Sequence, residues 1–288
     1  MLRQTGLEVE LAPTAGPNMA QEMARAAVAR GAELVLVCGG DGTINEVVNG
    51  LAPGRVPLGI LPGGTANILA RELRLPLSPV RAARALPHWM PRRIALGRAR
   101  WGHGTKPVPL AEPATQTFCR YYTSVAGIGF DAYIVFKLSS WIKQHFGVAG
   151  YVAEALRQLV RYSFPDFCCR RDGQERRGTF AVIQRTRLYA GWLHLAPTAD
   201  LFAPRLTVCS FPSRSRLRYL LYALAVLSRQ HLRLPDVSLD HCVEADLTPC
   251  DSSTLYFELD GELAGTLPAT FDVVPDALTV LVPESGSS

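Results

Sequence analysis

At 288 residues, with 48% hydrophobic and 19% charged side chains, the chain can bury a sizeable core and has room for two domains, which excludes a disordered or low-complexity protein. A formal net charge of +5, carried mainly by arginine, suits an anionic membrane surface or acidic ligands better than it suits nucleic acid. Six dispersed histidines and seven scattered cysteines lack zinc-ligand spacing, Met1–Gly6 carries no leader signature, and no apolar run approaches the roughly 18–20 residues that spanning a membrane requires. Cys168 and Cys169 fall on an expected strand and point to opposite faces, which argues against a shared metal or disulfide and for reduced thiols in a cytoplasm.

In chain order, Glu8–Leu11 reads as a strand, and Asn18 with Gln21 forms a capping box for a helix that Gly31 stops. Glu33–Cys38 is an almost unbroken apolar, β-branched run, as expected of a parallel strand buried on both faces. The glycine-rich turn Gly39-Gly-Asp-Gly-Thr43 follows, and then Ile44, Val47, Val48 and Leu51 recur at i, i+3, i+4 and i+7 of a helix. Leu58–Leu61 repeats the pattern: a short apolar strand, the turn Pro62-Gly-Gly-Thr-Ala-Asn67, and a helical run from Ile68 to Leu73. Ser78 and Pro79 open a further helix through Leu86.

After about residue 90 the texture changes. Arg93–Trp101, Phe118–Val125, Phe180–Gln184, Arg205–Phe211 and Leu255–Leu259 read as strands of an antiparallel sandwich, interrupted by helices near Ala132–Ser140 and Gly150–Tyr162, with Gly102–Gln116 as an exposed loop. The longest apolar segment, Leu217–Leu227, is flanked by Arg214, Arg216 and Arg229; it is either a membrane-contact helix or a helix that covers the sandwich. Trp141, Lys143, His145 and Phe146, an aromatic and basic cluster, either border the entrance to a ligand site or cover the sandwich.

The two glycine turns carry the functional signal. Each feeds a helix N-terminus, where free amides and the helix dipole favour an anion, and glycine lets the backbone come close to it. A phosphate suits that place. Asp41 would repel bare phosphate and makes better sense as a direct or water-mediated ligand of a magnesium ion that accompanies ATP. A single such turn is as well explained by tight packing; two at the carboxyl ends of successive strands point to a ligand.

Gly39-Gly-Asp-Gly-Thr43 with Asn45-Glu46, Gly59-Ile-Leu-Pro-Gly-Gly-Thr-Ala-Asn67, Gly127-Ile-Gly-Phe-Asp-Ala132 and Leu259-Asp-Gly-Glu262, in that order along nearly the whole chain, resemble the diacylglycerol kinase catalytic domain family. That family includes bacterial soluble lipid kinases and the sphingosine and ceramide kinases. The resemblance implies an α/β nucleotide-binding domain with an NAD-kinase or phosphofructokinase-like parallel sheet over residues 1–90, then an antiparallel β-sandwich domain over 91–288 whose tail returns to the first. It implies ATP and Mg2+ as cofactors and phosphoryl transfer to a hydroxyl of diacylglycerol or a related lipid alcohol. The protein would be cytoplasmic and peripheral to the membrane, with no nucleic-acid partner and a homodimer left open.

The same resemblance places Thr14, Gly39, Gly40, Asp41, Gly42, Thr43, Ile44, Asn45, Glu46, Gly64, Thr65 and Asn67 around the nucleotide, with Asp41 also in the catalytic set. It makes Glu262 the general base and puts Asp131 near the metal. Taken alone, Asp260-Gly261 is a hairpin signal. Gly127-x-Gly129-x-x-Ala132 also mimics a dinucleotide fingerprint, a weak signal after the change to antiparallel texture.

The chain departs from the family pattern in three places. About one βα unit, with its Asn-Pro-x-x-Gly loop, is expected before the first helix and is not seen. Ile68 stands where many relatives carry an aspartate after the loop asparagine, and Ala199–Pro204 lacks the Asp-Asp-Gly turn of a structural magnesium site, so no metal is expected there. Two further readings stay open: a nicotinamide-dinucleotide kinase, which shares Gly-Gly-Asp-Gly but not the 62–67 turn, and a non-catalytic lipid-binding protein derived from the kinase fold.

Overall fold

The structure is a computed structural model that describes residues 8–102, 117–137 and 140–284. Residues 1–7, on which the absence of a leader is read, residues 103–116 of the expected loop and residues 138–139 lie outside the described set, as do the side chains of Trp141, Lys143, His145 and Phe146. The chain divides into two compact units: one takes in the residues up to Leu96, Leu201–Pro204 and the residues from Val274, and the other takes in Gly97–Asp200 and Arg205–Val273.

The first unit is an α/β assembly of α1 (Met19–Ala29), β1 (Val35–Gly39), α2 (Asp41–Leu51), β2 (Leu58–Pro62), α3 (Ile68–Glu72), α4 (Pro79–Ala85) and the start of β3 (Trp89–Gly102). β1 and β2 pair in parallel from Val35↔Leu58 to Gly39↔Pro62, and the C-terminal strand joins β2 in parallel at Val280↔Leu58. β2 is central and buried throughout. β1, expected to be buried on both faces, buries only Val37 and leaves Cys38 exposed, because β2 is its one partner among the described residues.

Two expectations fail here. Glu8–Leu11 forms no strand, and Leu11 is exposed. The Asn18–Gln21 capping box does not form either: Asn18 adopts a left-handed conformation, φ 64°, and its side chain makes no cap. The Glu46 carboxylate from α2 caps α1 instead, accepting from the amides of Asn18 at 2.8 Å and Ala20 at 2.9 Å. Ser78 does cap α4, with Pro79 following it.

The second unit continues through β4 (Thr117–Tyr122), β5 (Val125–Gly129), α5 (Phe130–Lys137), α6 (Ser140–Arg161), β6 (Phe167–Arg171), β7 (Gln174–Gly178), β8 (Phe180–Gln184), β9 (Leu188–Tyr189), β10 (Leu193–His194) and β11 (Leu206–Phe211). It closes with α7 (Arg216–Leu227), β12 (Ser238–Cys242), β13 (Glu244–Pro249), β14 (Tyr256–Leu259), β15 (Glu262–Thr266) and the first residues of β16 (Ala269–Pro283). One sheet runs β12-β11-β8-β5-β14-β15 with antiparallel neighbours; facing it, β13 pairs with β16 and β6, and β6 with β7. Strand alternation sorts the side chains. Ala126, Ile128, Ala181, Ile183, Val208 and Phe257 enter the core shared with Trp101, Phe167, Leu247 and Phe271. Val125, Val182, Cys209 and Phe211 point the other way and are covered by Tyr219 and Tyr222 of α7. This is the expected sandwich, with both faces of its six-stranded sheet buried.

Candidate active site

In the first unit the two glycine turns touch, backbone against backbone. Gly63 N–H donates to Gly39 O at 2.8 Å, and a Cβ built on Gly64 would lie 2.6 Å from Gly40 Cα, which no side chain at that position could relieve. Asp41 fastens the pair: one carboxylate oxygen accepts from Asn67 N–H at 2.8 Å and the other from Ile68 N–H at 2.7 Å, which caps α3. Asn67 closes its own turn from a left-handed conformation, φ 49°, accepting from Gly64 N–H at 3.0 Å and donating to Gly64 O at 2.7 Å. At the N-terminus of α2, Gly40 is the cap residue and no side chain caps the helix. Uncapped first-turn amides at the positive end of a dipole are suited to a phosphate.

The expected nucleotide residues divide accordingly. Gly39, Gly40, Asp41, Gly42, Thr43, Gly64, Thr65 and Asn67 belong to the two turns, with Thr65 exposed and Thr43 partly so. Ile44 and Asn45 are each 1% exposed, so their side chains face the core. The Glu46 carboxylate is committed to capping α1. Thr14 stands exposed on the segment before α1.

In the second unit Asp260 and Gly261, φ 50° and 84°, form a two-residue hairpin between β14 and β15, the backbone that the dipeptide signals. The Asp260 carboxylate ties that hairpin to the bend between β4 and β5. It accepts from the amides of Thr123 (2.8 Å), Ser124 (2.8 Å) and Val125 (2.9 Å) and from the Thr123 hydroxyl (3.0 Å). This long-range capture splits the strand expected over Phe118–Val125. Glu262 begins β15 with 40% of its side chain exposed and is paired with Arg120, Nη2 to Oε2 2.6 Å. It is a carboxylate held in one orientation yet open to solvent.

Behind the hairpin is a buried acid pair. Glu258 accepts from Gly261 N–H at 2.5 Å, and Asp131 accepts from Tyr151 Oη, which lies 3.2 Å from Tyr189 Oη. A Cβ on Gly127 would meet Asp131 Oδ2 at 2.1 Å and Glu258 Oε1 at 2.7 Å, so the two carboxyl groups converge over that glycine. Burial raises both acids, Glu258 well above the ordinary range, and the neighbouring Asp131 raises Glu258 further. Glu258, Tyr151, Tyr189 and Arg120 were not foreseen. The sequence signal for Glu258 is a lone acid between two core residues, Phe257 and Leu259.

The dinucleotide mimic is discounted. Gly127 and Gly129 lie on β5, whose neighbours β8 and β14 are both antiparallel, whereas the fingerprint belongs to a parallel βαβ crossover. Of the residues expected near the metal, Asp41 accepts from two α3 amides and Asp131 from tyrosine hydroxyls, and among the described residues no three His, Cys, Asp or Glu side chains group together.

Comparison with known proteins agrees with these features. The family model described as the diacylglycerol kinase catalytic domain matches residues 1–99, and that described as the YegS C-terminal NAD kinase beta sandwich-like domain matches residues 124–282. A protein named diacylglycerol kinase from Mycobacterium tuberculosis (strain ATCC 25618 / H37Rv) is 30% identical over 289 residues, covering 99% of this chain and 88% of that protein. One of the same name from Bacillus subtilis (strain 168) is 26% identical, covering 98% of this chain and 88% of its own length. The crystal structure of a diacylglycerol kinase from Bacillus anthracis str. Sterne superposes with a TM-score of 0.72 at 18% identity, covering 99% of this chain and 90% of that one, a likeness of fold. With two touching glycine turns in an α/β unit and an Asp-Gly-Glu hairpin on a β-sandwich, this chain belongs to the diacylglycerol kinase family of lipid kinases.

Proposed function

We propose that the chain transfers the γ-phosphoryl group of ATP to a hydroxyl of diacylglycerol or a related lipid alcohol, acting peripherally at a membrane surface in a cytoplasm. The observation that carries the reading is the pair of interlocked turns at 39–41 and 63–67, which leaves the α2 N-terminus without a side-chain cap. Its first-turn amides, with the exposed Thr65, are suited to holding the nucleotide phosphates. Mg2+ enters this scheme as the ion that ATP brings on its phosphates.

Glu262 is proposed as the general base. It takes the proton of the lipid hydroxyl as the oxygen bonds to the γ-phosphorus and the bond to the β,γ-bridging oxygen breaks, releasing ADP; the proton then passes to solvent. Arg120 keeps the carboxylate oriented for that transfer, and Asp260 supports the hairpin beneath it without touching the reacting atoms.

The test is incubation of the pure protein with labelled ATP, Mg2+ and a panel of diacylglycerol, sphingoid alcohols and NAD. Label in a lipid phosphate is expected. Label in the dinucleotide alone would establish the nicotinamide-dinucleotide kinase instead, and no transfer to any acceptor would favour a non-catalytic lipid-binding protein.

A further inference from the structure

Helix α7 has two faces of different character. Tyr219, Tyr222 and Ala225 are buried and cover the sandwich. On the other side Leu217, Leu220, Leu221, Leu224 and Leu227 are 78%, 41%, 40%, 63% and 55% exposed. Their spacing of i, i+3, i+4, i+7 and i+10 sets them in one stripe. Single exposed leucines are ordinary on a protein surface, whereas five in a row mark a surface that meets something apolar.

The surrounding charge selects the partner. Between residues 214 and 235 the sequence holds five arginines and neither aspartate nor glutamate. Arg214 is neutralised by Asp166 and Arg218 by Asp236, and those two pairs anchor the helix to its own unit. Arg216, Arg229 and Arg233 are exposed and have no carboxylate partner among the described residues. They bracket the leucine stripe: Arg216 opens the helix, Arg229 follows its end, and Arg233 lies in the next turn beside the exposed Leu232. A second copy of this chain docked through the same face would confront three cations with three cations at an apolar contact, which opposes self-association. An anionic bilayer supplies both the apolar boundary for the leucines and the phosphates for the arginines.

We propose that α7 is a membrane-docking face, lying in the plane of an anionic bilayer with its leucine stripe in the headgroup–acyl boundary and Arg216, Arg229 and Arg233 against lipid phosphates. The choice of a bilayer over another apolar partner rests on the lipid-kinase reading, but the binding itself needs no turnover. Docking through α7 would hold the enzyme on the surface where its acceptor resides.

The experiment is vesicle co-sedimentation of the full chain without ATP, using phosphatidylcholine vesicles and vesicles of equal parts phosphatidylcholine and phosphatidylglycerol. The parent is expected to bind the anionic vesicles at least about tenfold more tightly. Leu217→Ser with Leu224→Ser is expected to weaken that binding by about tenfold or more. Arg216→Gln with Arg229→Gln and Arg233→Gln should abolish the preference for anionic lipid. Unchanged circular dichroism and melting temperature establish that these variants fold, and phosphorylation of a short-chain, water-soluble diacylglycerol should proceed at the parent rate in both. Vesicle binding by the variants equal to that of the parent, no binding by the parent, or a parent dimer that the leucine substitutions dissociate would each overturn the inference. If the parent phosphorylates no lipid yet binds vesicles through α7, the kinase reading fails and this one stands.

Discussion

Asp41 and Ile68 are joined across 27 residues by a 2.7 Å bond from the Ile68 amide to the Asp41 carboxylate, so an acid at the start of α2 caps α3. The two turns of the first unit are thereby one object. Asp41→Asn keeps one acceptor but sets an NH2 group against an amide donor, and it is expected to cost about 1–2 kcal/mol of stability, in the range of a lost helix cap. Denaturant unfolding measures that loss, and the KM for ATP should rise with it. Unchanged stability would remove the capping role and return Asp41 to the place of a ligand for the ion carried by ATP.

Gly64→Ala tests the contact between the turns directly. The added methyl would sit 2.6 Å from Gly40 Cα, so the turns must part. Binding of a fluorescent ATP analogue should weaken by about tenfold or more and the melting temperature should fall with it, because parting the turns stretches the bonds that join them. Equal affinity would show that the contact is packing alone.

Much of this arrangement was legible in the sequence, for identifiable reasons. Helix periodicity after Thr43, the unbroken apolar run of Leu58–Leu61 and the Ser78-Pro79 start each encode a local preference, and α2, β2 and α4 formed there. What stayed hidden was long-range polar capture. The Glu46 carboxylate replaced the expected Asn18 capping box, and Asp260 broke the strand expected to run on through Thr123 and Ser124. A carboxylate facing a backbone amide dozens of residues away leaves no periodic trace, and the motifs that exposed Asp41, Asp260 and Glu262 said nothing of what each would bind. In α7 the sequence allowed a covering helix or a membrane helix; its tyrosine face does the first and leaves the leucine face available for the second.

Asp260 and Glu262, one residue apart, should respond to substitution in opposite ways. Asp260→Ala leaves the amides of Thr123, Ser124 and Val125 without their acceptor, a loss of about 3 kcal/mol or more that urea unfolding would register. Glu262→Gln removes basicity from a half-exposed group, so stability should stay within about 0.5 kcal/mol while kcat falls by roughly 100-fold to 10,000-fold. A Glu262→Gln enzyme with the parent's kcat would eliminate the proposed base.

Glu258 provides the test with a pH sign. Burial and the neighbouring Asp131 raise it well above the usual carboxylate range, so in the fold it prefers to be neutral while the unfolded chain ionises near the ordinary value. The folded state then holds the proton more firmly. Its contribution to stability is complete below the unfolded pKa and declines as pH rises towards the folded one. A glutamine side chain in its place has the acid's shape, can accept from Gly261 N–H and can donate to Asp131, and it has no proton to lose. Glu258→Gln should therefore match the parent in thermal stability near pH 4 and exceed it by a margin that widens towards about pH 8. Activity should persist in Glu258→Gln, because the hairpin that presents Glu262 keeps its anchor, and should be lost in Glu258→Leu, which removes the acceptor for Gly261 N–H. Melting curves of parent and Glu258→Gln that run parallel across this pH range would mean that Glu258 is ionised in the fold.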